Sequence, residues 1–211
     1  WISGFFGSGK SHFLKMLSYL LSNKEVDGKH AFDYFADKFD DPMMYATVQK
    51  CVRIPTESIL FNIDIEGPIN KDKTAVLRVF AKVFYNHCGF YGEDLKVAKL
   101  ERFIDKQGKT DAFRTAFKEV NGDEWVNARD SAAFFEDDVV WQSVLGMSET
   151  AARNWFNGEE NADMSIKQLV SEIKEYVDSK EGNFRLLFCV DEVGQYIGDD
   201  GDLMMNLQSL V

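Results

Sequence analysis

Residues Gly4 to Ser11 have the types and the spacing of a phosphate-binding loop. They read Gly-Phe-Phe-Gly-Ser-Gly-Lys-Ser, which fits the pattern G-x-x-x-x-G-K-S. In such a loop the glycines let the backbone turn tightly and bring its N–H groups to a polyphosphate. The lysine reaches the β- and γ-phosphates, and the serine hydroxyl binds Mg²⁺. We therefore predict a nucleotide-binding segment with Lys10 as a catalytic residue and Ser11 as a metal ligand; its residues are Gly4, Phe5, Phe6, Gly7, Ser8, Gly9, Lys10, Ser11 and His12.

A loop of this kind needs a strand before it and a helix after it. Trp1 to Ser3 has the character of the end of a strand. From Lys10 to Ser22 the apolar residues recur at helical spacing, which predicts the helix whose N-terminal dipole faces the phosphates. These apolar residues are Phe13, Leu14, Leu17, Leu20 and Leu21.

A second group of chemically active residues follows a continuous apolar run, Arg185 to Val190. Such a run is typical of a parallel strand that is covered on both faces. It ends in Asp191-Glu192, at the strand end where ligands bind in open α/β sheets. We predict that Asp191 holds Mg²⁺ through water and that Glu192 activates the attacking water. The alternative is an acidic turn that carries the chain from the strand into solvent.

The sequence indicates the base of the nucleotide less directly than it indicates the phosphate-binding loop. Asp191 to Gly194 fits D-x-x-G, the metal-side motif of GTPases, which read guanine with a later N-K-x-D segment. Asn70 to Lys73 resembles that segment, but it lacks the final Asp and precedes Asp191. A carboxylate beside the metal-binding Asp is the ATPase arrangement, so we predict ATP, with GTP as the less favoured alternative.

A further strand is predicted over Ser58–Ile65, rich in Ile and Phe. Its polar residues Asn62 and Asp64 fall on one face by strand alternation. In P-loop ATPases with an additional strand, this strand lies beside the one that ends in the catalytic Glu. We hypothesise that Asn62 or Asp64 bonds to Glu192 and gates it. The alternative is a satisfied buried polar residue or a frayed strand end.

The fold class that these patterns predict is α/β: a partial P-loop NTPase core, a parallel sheet flanked by helices, with a helical insertion. Helices are expected over 30–39, 42–52, 72–86 and in the segment before the apolar strand, where Ser165 or Asp163 is a candidate cap. The insertion is placed at 90–164, where helical spacing replaces strand alternation. It contains the acidic run Glu136-Asp137-Asp138 and three tryptophans, for which a place in the core is favoured over partner docking; they are Trp125, Trp141 and Trp155.

Composition limits the class of protein. The 211 residues carry 24 basic and 35 acidic side chains, a net charge of −11. That balance argues against a large non-specific nucleic-acid surface. No apolar stretch approaches the ~18 residues of a membrane span, and the three cysteines fit no metal or redox spacing, which favours a reducing cytoplasm. Because the chain opens at Trp1 without a full strand, we expect residues 1–211 to be a fragment of a larger ATPase.

Two extended segments resemble one family closely. They are Gly4 to Leu14, Gly-Phe-Phe-Gly-Ser-Gly-Lys-Ser-His-Phe-Leu, and Asp191 to Ile197, Asp-Glu-Val-Gly-Gln-Tyr-Ile. The first loop and the strand ending in Asp-Glu are similar to those of AAA+ and related ATPases. The extended segments resemble the BrxC/PglY family, large P-loop proteins of bacterial BREX phage-defence systems. The resemblance implies a cytoplasmic, oligomeric ATPase that works with a methyltransferase and other BREX proteins against phage DNA, touching DNA through the assembly.

Two other functions fit the same motifs. A nucleotide-sensing scaffold would bind ATP to switch assembly, with little or no hydrolysis. A small-molecule kinase would use the same loop, although the insertion and the Asp-Glu strand end disfavour it.

Overall fold

The computed structural model describes residues 1–5, 7–68, 71–131, 146 and 164–210. The chain forms two compact units. The first unit comprises Trp1–Val76 and Val170–Val211, and the second comprises Leu77–Leu169. Both candidate motifs belong to the first unit, so its elements decide how the site is built.

The first unit begins with the predicted helix, α1, over Lys10–Ser22. Asn23 ends it in a left-handed conformation, φ 43°. A short hairpin follows, β1 (Glu25–Val26) and β2 (Lys29–His30), paired antiparallel. No hairpin was predicted here, although the Asp27-Gly28 turn is its usual sign: both residues have positive φ, as a type I′ turn requires.

Two helices then lead to the sheet, close to where they were predicted. Helix α2 spans Ala31–Phe35 and continues as a 3₁₀ turn over Ala36–Lys38. Helix α3 spans Pro42–Val52; Asp41 caps it by accepting from the Met43 N–H, and Pro42 occupies the first turn, where no intrahelical donor is needed.

A parallel pair of strands forms the centre of the first unit. Strand β3 (Thr56–Asn62) pairs with β4 (Arg185–Asp191) over its whole length, from Thr56 opposite Arg185 to Asn62 opposite Asp191. The predicted parallel pairing and the predicted strand at 185–190 are confirmed. Most of β4 is half-buried and only Cys189 is fully buried, so the expectation of a strand covered on both faces is met in part.

Helix α1 packs on both strands of this sheet. The Ser18 and Ser58 hydroxyls share a hydrogen bond of 2.7 Å, and Ser18 is 2% exposed. The Cys189 thiol lies beside Ser18, and burial raises its pKa. Register partners in a parallel sheet point to the same face. Ser58, Cys189, Asn62 and Asp191 therefore share the face that carries α1.

The end of β3 differs from the sequence prediction. The strand was expected to run to Ile65, but it ends at Asn62, and Ile63–Glu66 forms one helical turn, α4. The Asn62 side chain causes the change, because its Oδ1 accepts hydrogen bonds from the N–H groups of Asp64 (2.9 Å) and Ile65 (3.2 Å). Asp64 is therefore a helical residue, and strand alternation does not place it on a face with Asn62.

The described part of the second unit is helical. Helix α5 (Ala75–His87) enters it from the first unit, followed by α6 (Leu95–Lys106), α7 (Thr110–Asn121) and α8 (Trp125–Ala128). Trp125 is 2% exposed and packs edge-on against Phe113 and Phe117, which confirms the core prediction for this tryptophan. Trp141, Trp155 and the acidic run at 136–138 lie outside the described residues.

The chain returns to the sheet through α9 (Ile166–Asp178), whose first turn is capped by Ser165, one of the two predicted caps: its hydroxyl accepts from the Gln168 N–H. The other candidate, Asp163, lies outside the described residues. After β4 come α10 (Val193–Ile197) and α11 (Gly201–Leu210). Trp1 to Ser3, predicted as the end of a strand, have no regular structure, because no neighbouring strand hydrogen-bonds to them.

The fold is thus mixed α/β, with one small parallel sheet of two strands. A complete P-loop core, with its several parallel strands, is not present in the part of the chain that the structure describes. No helix in that part is long and apolar enough to cross a membrane.

The contact between Ser18 and Ser58 allows a test of how α1 is seated on the sheet. Ser18→Ala removes the hydrogen bond between the two hydroxyls, while the Ser58 hydroxyl keeps its longer bond of 3.3 Å to the Ser18 carbonyl. The loss should lower the free energy of unfolding by about 0.5–1.5 kcal/mol. Ser58→Ala should do the same. The double variant should lose clearly less than the sum of the two, because both single variants remove the same hydrogen bond. Urea unfolding of the four proteins measures this, and strictly additive losses would contradict the contact.

Candidate functional site

The loop before α1 has a backbone that requires its glycines. Gly7 has φ 75° and Gly9 has φ 84°, the left-handed region that side chains disfavour. At Gly4 a Cβ would lie 2.7 Å from the Ser8 Oγ, so a larger residue there would require that hydroxyl to rotate away. The Ser8 N–H donates to the Phe5 carbonyl at 3.1 Å and closes the turn. The conformation is thus set by residue types visible in the sequence; Phe6 lies outside the described residues.

Lys10 is the first residue of α1, and its ammonium group stays at the loop. Nζ donates to the carbonyls of Gly4 (3.1 Å) and Phe5 (3.0 Å). No side chain caps the start of α1, and no acidic residue lies in its first turn. The first N–H groups of the helix and its positive dipole end therefore carry no competing carboxylate. Ser11 and His12 are exposed in this turn.

The acidic pair sits at the carboxyl end of β4. Asp191 is the last strand residue, and its Oδ1 accepts a hydrogen bond of 3.0 Å from the Glu192 N–H. Glu192 is exposed, caps α10 and has φ 60° and ψ 24°, the left-handed conformation that is costly for a residue with a Cβ. Such strain persists only where the surrounding structure imposes it, and it is common at functional sites.

Asn62 is the register partner of Asp191, so β3 brings a polar side chain beside the acidic pair. Its Oδ1 is engaged in capping α4. Asp64 is turned instead to Lys71, with Nζ 3.3 Å from its Oδ1. Among the described residues, neither side chain bonds to Glu192. Gating by Asn62 stays a prediction that the adjacency supports, while the geometric reason for choosing Asp64 was wrong.

Lys71 joins the two strand ends, and the sequence analysis did not find it. Its Nζ donates to the Tyr196 carbonyl (3.0 Å), pairs with Asp64 and lies 4.0 Å from the centre of the Tyr196 ring. Tyr196 and Ile197 are buried. Gly67 permits this packing, since a Cβ there would come within 2.6 Å of the Tyr196 ring. Lys71 was considered only as part of a guanine-reading segment, and no local pattern marks its partner.

The loop and the acidic pair do not touch in the part of the chain that the structure describes: no hydrogen bond or ion pair joins them. The same residues contain no cluster of three or more His, Cys, Asp or Glu side chains that could hold a metal ion. A metal at this site would therefore depend on Ser11, Asp191, water and the phosphates of a nucleotide together.

Comparison with known proteins adds no assignment. No protein-family model matches the chain. No solved structure matches it significantly.

The strain at Glu192 gives a direct test of the turn. Glu192→Gly and Glu192→Ala both remove the carboxylate, but only glycine adopts φ 60° without steric cost. We expect the glycine variant to be more stable than the alanine variant by about 1 kcal/mol. Urea unfolding measures the difference.

The same pair of substitutions at Gln208, in the right-handed helix α11, is the control. There the order should reverse, with alanine more stable by about 0.5–1 kcal/mol. An alanine preference of equal size at Glu192 would show that its backbone is not left-handed.

Proposed function

We propose that this chain binds ATP·Mg²⁺ in the Gly4–Ser11 loop and hydrolyses the γ-phosphate. One observation carries the proposal: the helix that begins at Lys10 packs on the strand that ends at Asp191. Both halves of a nucleotide site, a phosphate loop and a strand-end acid pair, thus belong to one packed unit.

The lengths of α1 and β3 support a position of the loop at the same end of the sheet as the acidic pair. Along α1, Lys10 lies about 12 Å from Ser18 at the rise of an α-helix. Along β3, Asn62 lies about 13 Å from Ser58 at the rise of a strand. Ser18 and Ser58 are in contact. A helix that runs antiparallel to the strands, as in crossover units, would therefore hold Lys10 level with Asn62 and Asp191.

The proposed roles follow from the chemistry of each group. The loop N–H groups and the first turn of α1 bind the phosphate oxygens. Lys10 exchanges its bonds to the Gly4 and Phe5 carbonyls for the β- and γ-phosphates and stabilises the charge that develops on the γ-phosphoryl group. Glu192, exposed beside Asp191, accepts the proton of the attacking water.

The residues present fit a magnesium ion. Ser11 offers an exposed hydroxyl, and Asp191 uses only one carboxylate oxygen, Oδ1, for its bond to the Glu192 N–H. Hard oxygen ligands of this kind, completed by water and phosphate, are what Mg²⁺ prefers. When bound, Mg²⁺ neutralises charge on the phosphates.

The wider role that we propose rests on the resemblance to the BrxC/PglY family. Hydrolysis would drive conformational change in an oligomeric, cytoplasmic BREX assembly that includes a methyltransferase. DNA would be contacted by the assembly, since a net charge of −11 argues against a large non-specific nucleic-acid surface on this segment.

Hydrolysis is tested by steady-state turnover and ATP binding of the full-length protein, with and without DNA and partner proteins. Glu192→Gln should bind ATP with little change and lower kcat at least about 100-fold, because only the general base is lost. Lys10→Ala should weaken ATP binding as well. Glu181→Gln, an exposed carboxylate away from the strand end, is the matched control and should leave both unchanged.

Other outcomes identify other functions. Tight ATP binding with equal, negligible turnover in wild type and Glu192→Gln would favour the nucleotide-sensing scaffold and remove the catalytic role of Glu192. Transfer of the γ-phosphate to a small molecule rather than to water would identify a kinase. GTP bound more tightly than ATP would overturn the choice of base.

A further inference from the structure

Helix α10 carries Glu192 at its start, yet it is too short to hold its own orientation. It spans only Val193–Ile197, and helices of one turn are not stable by themselves in water. Glu192 and Tyr196 belong to this same turn, because the Tyr196 N–H donates to the Glu192 carbonyl at 3.0 Å. Whatever fixes Tyr196 therefore also fixes the backbone of Glu192.

Lys71 is a polar group outside the helix that contacts Tyr196 and helps to fix it. It bonds to the Tyr196 carbonyl at 3.0 Å and lies 4.0 Å above the Tyr196 ring, so it contacts both backbone and side chain. Its side chain is one-third exposed, and its third contact, Asp64, balances its charge. A cation over an aromatic ring, with a charge-assisted hydrogen bond to the same residue, is a specific attachment.

The segment that carries Lys71 is itself anchored. The Asn206 side chain in α11 donates to the Lys73 carbonyl. The Asp72 carboxylate accepts from the Thr74 N–H (2.8 Å) and hydroxyl (2.7 Å), which fixes the turn before α5. These hydrogen bonds fix the backbone next to Lys71, so its side chain extends from a defined position.

These contacts form a continuous chain of interactions from the residue beside Asp191 to Glu192. Asn62, beside Asp191, caps α4; Asp64 of α4 binds Lys71; and Lys71 binds Tyr196, whose N–H bonds back to Glu192. We propose that Lys71 is a positioning residue, which holds α10 so that Glu192 keeps its left-handed backbone and its carboxylate direction. The inference rests on the proposed function for its catalytic consequence but not for its structural one.

Turnover tests the catalytic consequence. In the full-length protein, Lys71→Met keeps an unbranched apolar stem and removes the cation. It should lower kcat for ATP about tenfold to a hundredfold, as small misplacements of catalytic groups do. The Kd for ATP should stay within about twofold, because the loop is untouched. Lys71→Arg should recover most of the loss.

Lys73→Met is the matched control, since this neighbouring lysine is exposed and its carbonyl, rather than its side chain, accepts the bond from Asn206. It should leave kcat and Kd unchanged. An active wild type with a Lys71→Met variant of undiminished kcat would overturn the proposal. So would a loss of ATP binding as large as the loss of kcat, because positioning of Glu192 acts on turnover alone.

A stability cycle tests the structural consequence without any activity. Glu192→Gly relieves the left-handed strain and should raise the urea midpoint relative to Glu192→Ala. With Lys71→Met in the background, α10 can relax, and this glycine advantage should fall to less than half. An unchanged advantage would show that Lys71 does not hold the turn.

The two measurements separate the possible failures. A wild type without turnover but with a reduced glycine advantage in Lys71→Met would refute the proposed hydrolysis and keep the positioning role. Normal turnover in Lys71→Met with an unchanged advantage would refute the positioning role and keep the proposed hydrolysis.

Discussion

The pairing of β3 with β4 is the interaction on which the candidate site depends. The two strands are far apart in the chain, and their register brings Asn62 opposite Asp191 at one end of the sheet. The same register puts Ser58 and Cys189 on the face where α1 packs through Ser18. A shift by one residue would turn these side chains to the other face. It would separate the helix that carries the loop from the face that carries Asp191.

Three residues other than glycine have positive φ in the part of the chain that the structure describes: Asn23, Asp27 and Glu192. Asn and Asp tolerate this conformation, whereas Glu192 does not, and it lies where chemistry is proposed. The glycines of the loop adopt positive φ at little cost, but Glu192 adopts it against its Cβ. Burial of Tyr196 and Ile197 in the helix that Glu192 begins, with the contacts of Lys71, supplies the packing that holds it. An exposed carboxylate on a fixed backbone keeps its direction while remaining open to water, which suits a group that must accept a proton from water.

The described part of the second unit contains a buried carboxylate, Glu101, whose backbone, unlike that of Glu192, is helical. Glu101, 8% exposed, accepts from the indole N–H of Trp125 at 2.7 Å and from the Tyr91 N–H, and it pairs with Arg129 at 3.1 Å. A buried carboxylate is tolerated because its oxygens are bonded and its charge is paired. The network connects α6 to α8 by directional hydrogen bonds. These bonds fix the relative position of the two helices more specifically than apolar packing, which has no direction.

The sequence by itself determined the features that depend on neighbours in the chain. Helix α1 begins and ends where its apolar spacing predicted, and the loop bends where Gly7 and Gly9 allow. The apolar run before Asp191 is a strand, since a short buried run bounded by turns has few alternatives. The end of β3 was mispredicted, because Ile63 and Ile65 suit a strand and a helix alike and the cap from Asn62 decides between them.

Only the tertiary structure shows which residues that lie far apart in the chain are in contact. The bond between Lys71 and Tyr196 spans 125 positions, and no pattern near either residue marks the other. The left-handed backbone of Glu192 is equally invisible, because Glu has no preference for that conformation and only the packing of α10 imposes it. The residue types of the site can be recognised from short segments of the sequence. Their register, strain and attachment arise when separate segments bury their surfaces against one another.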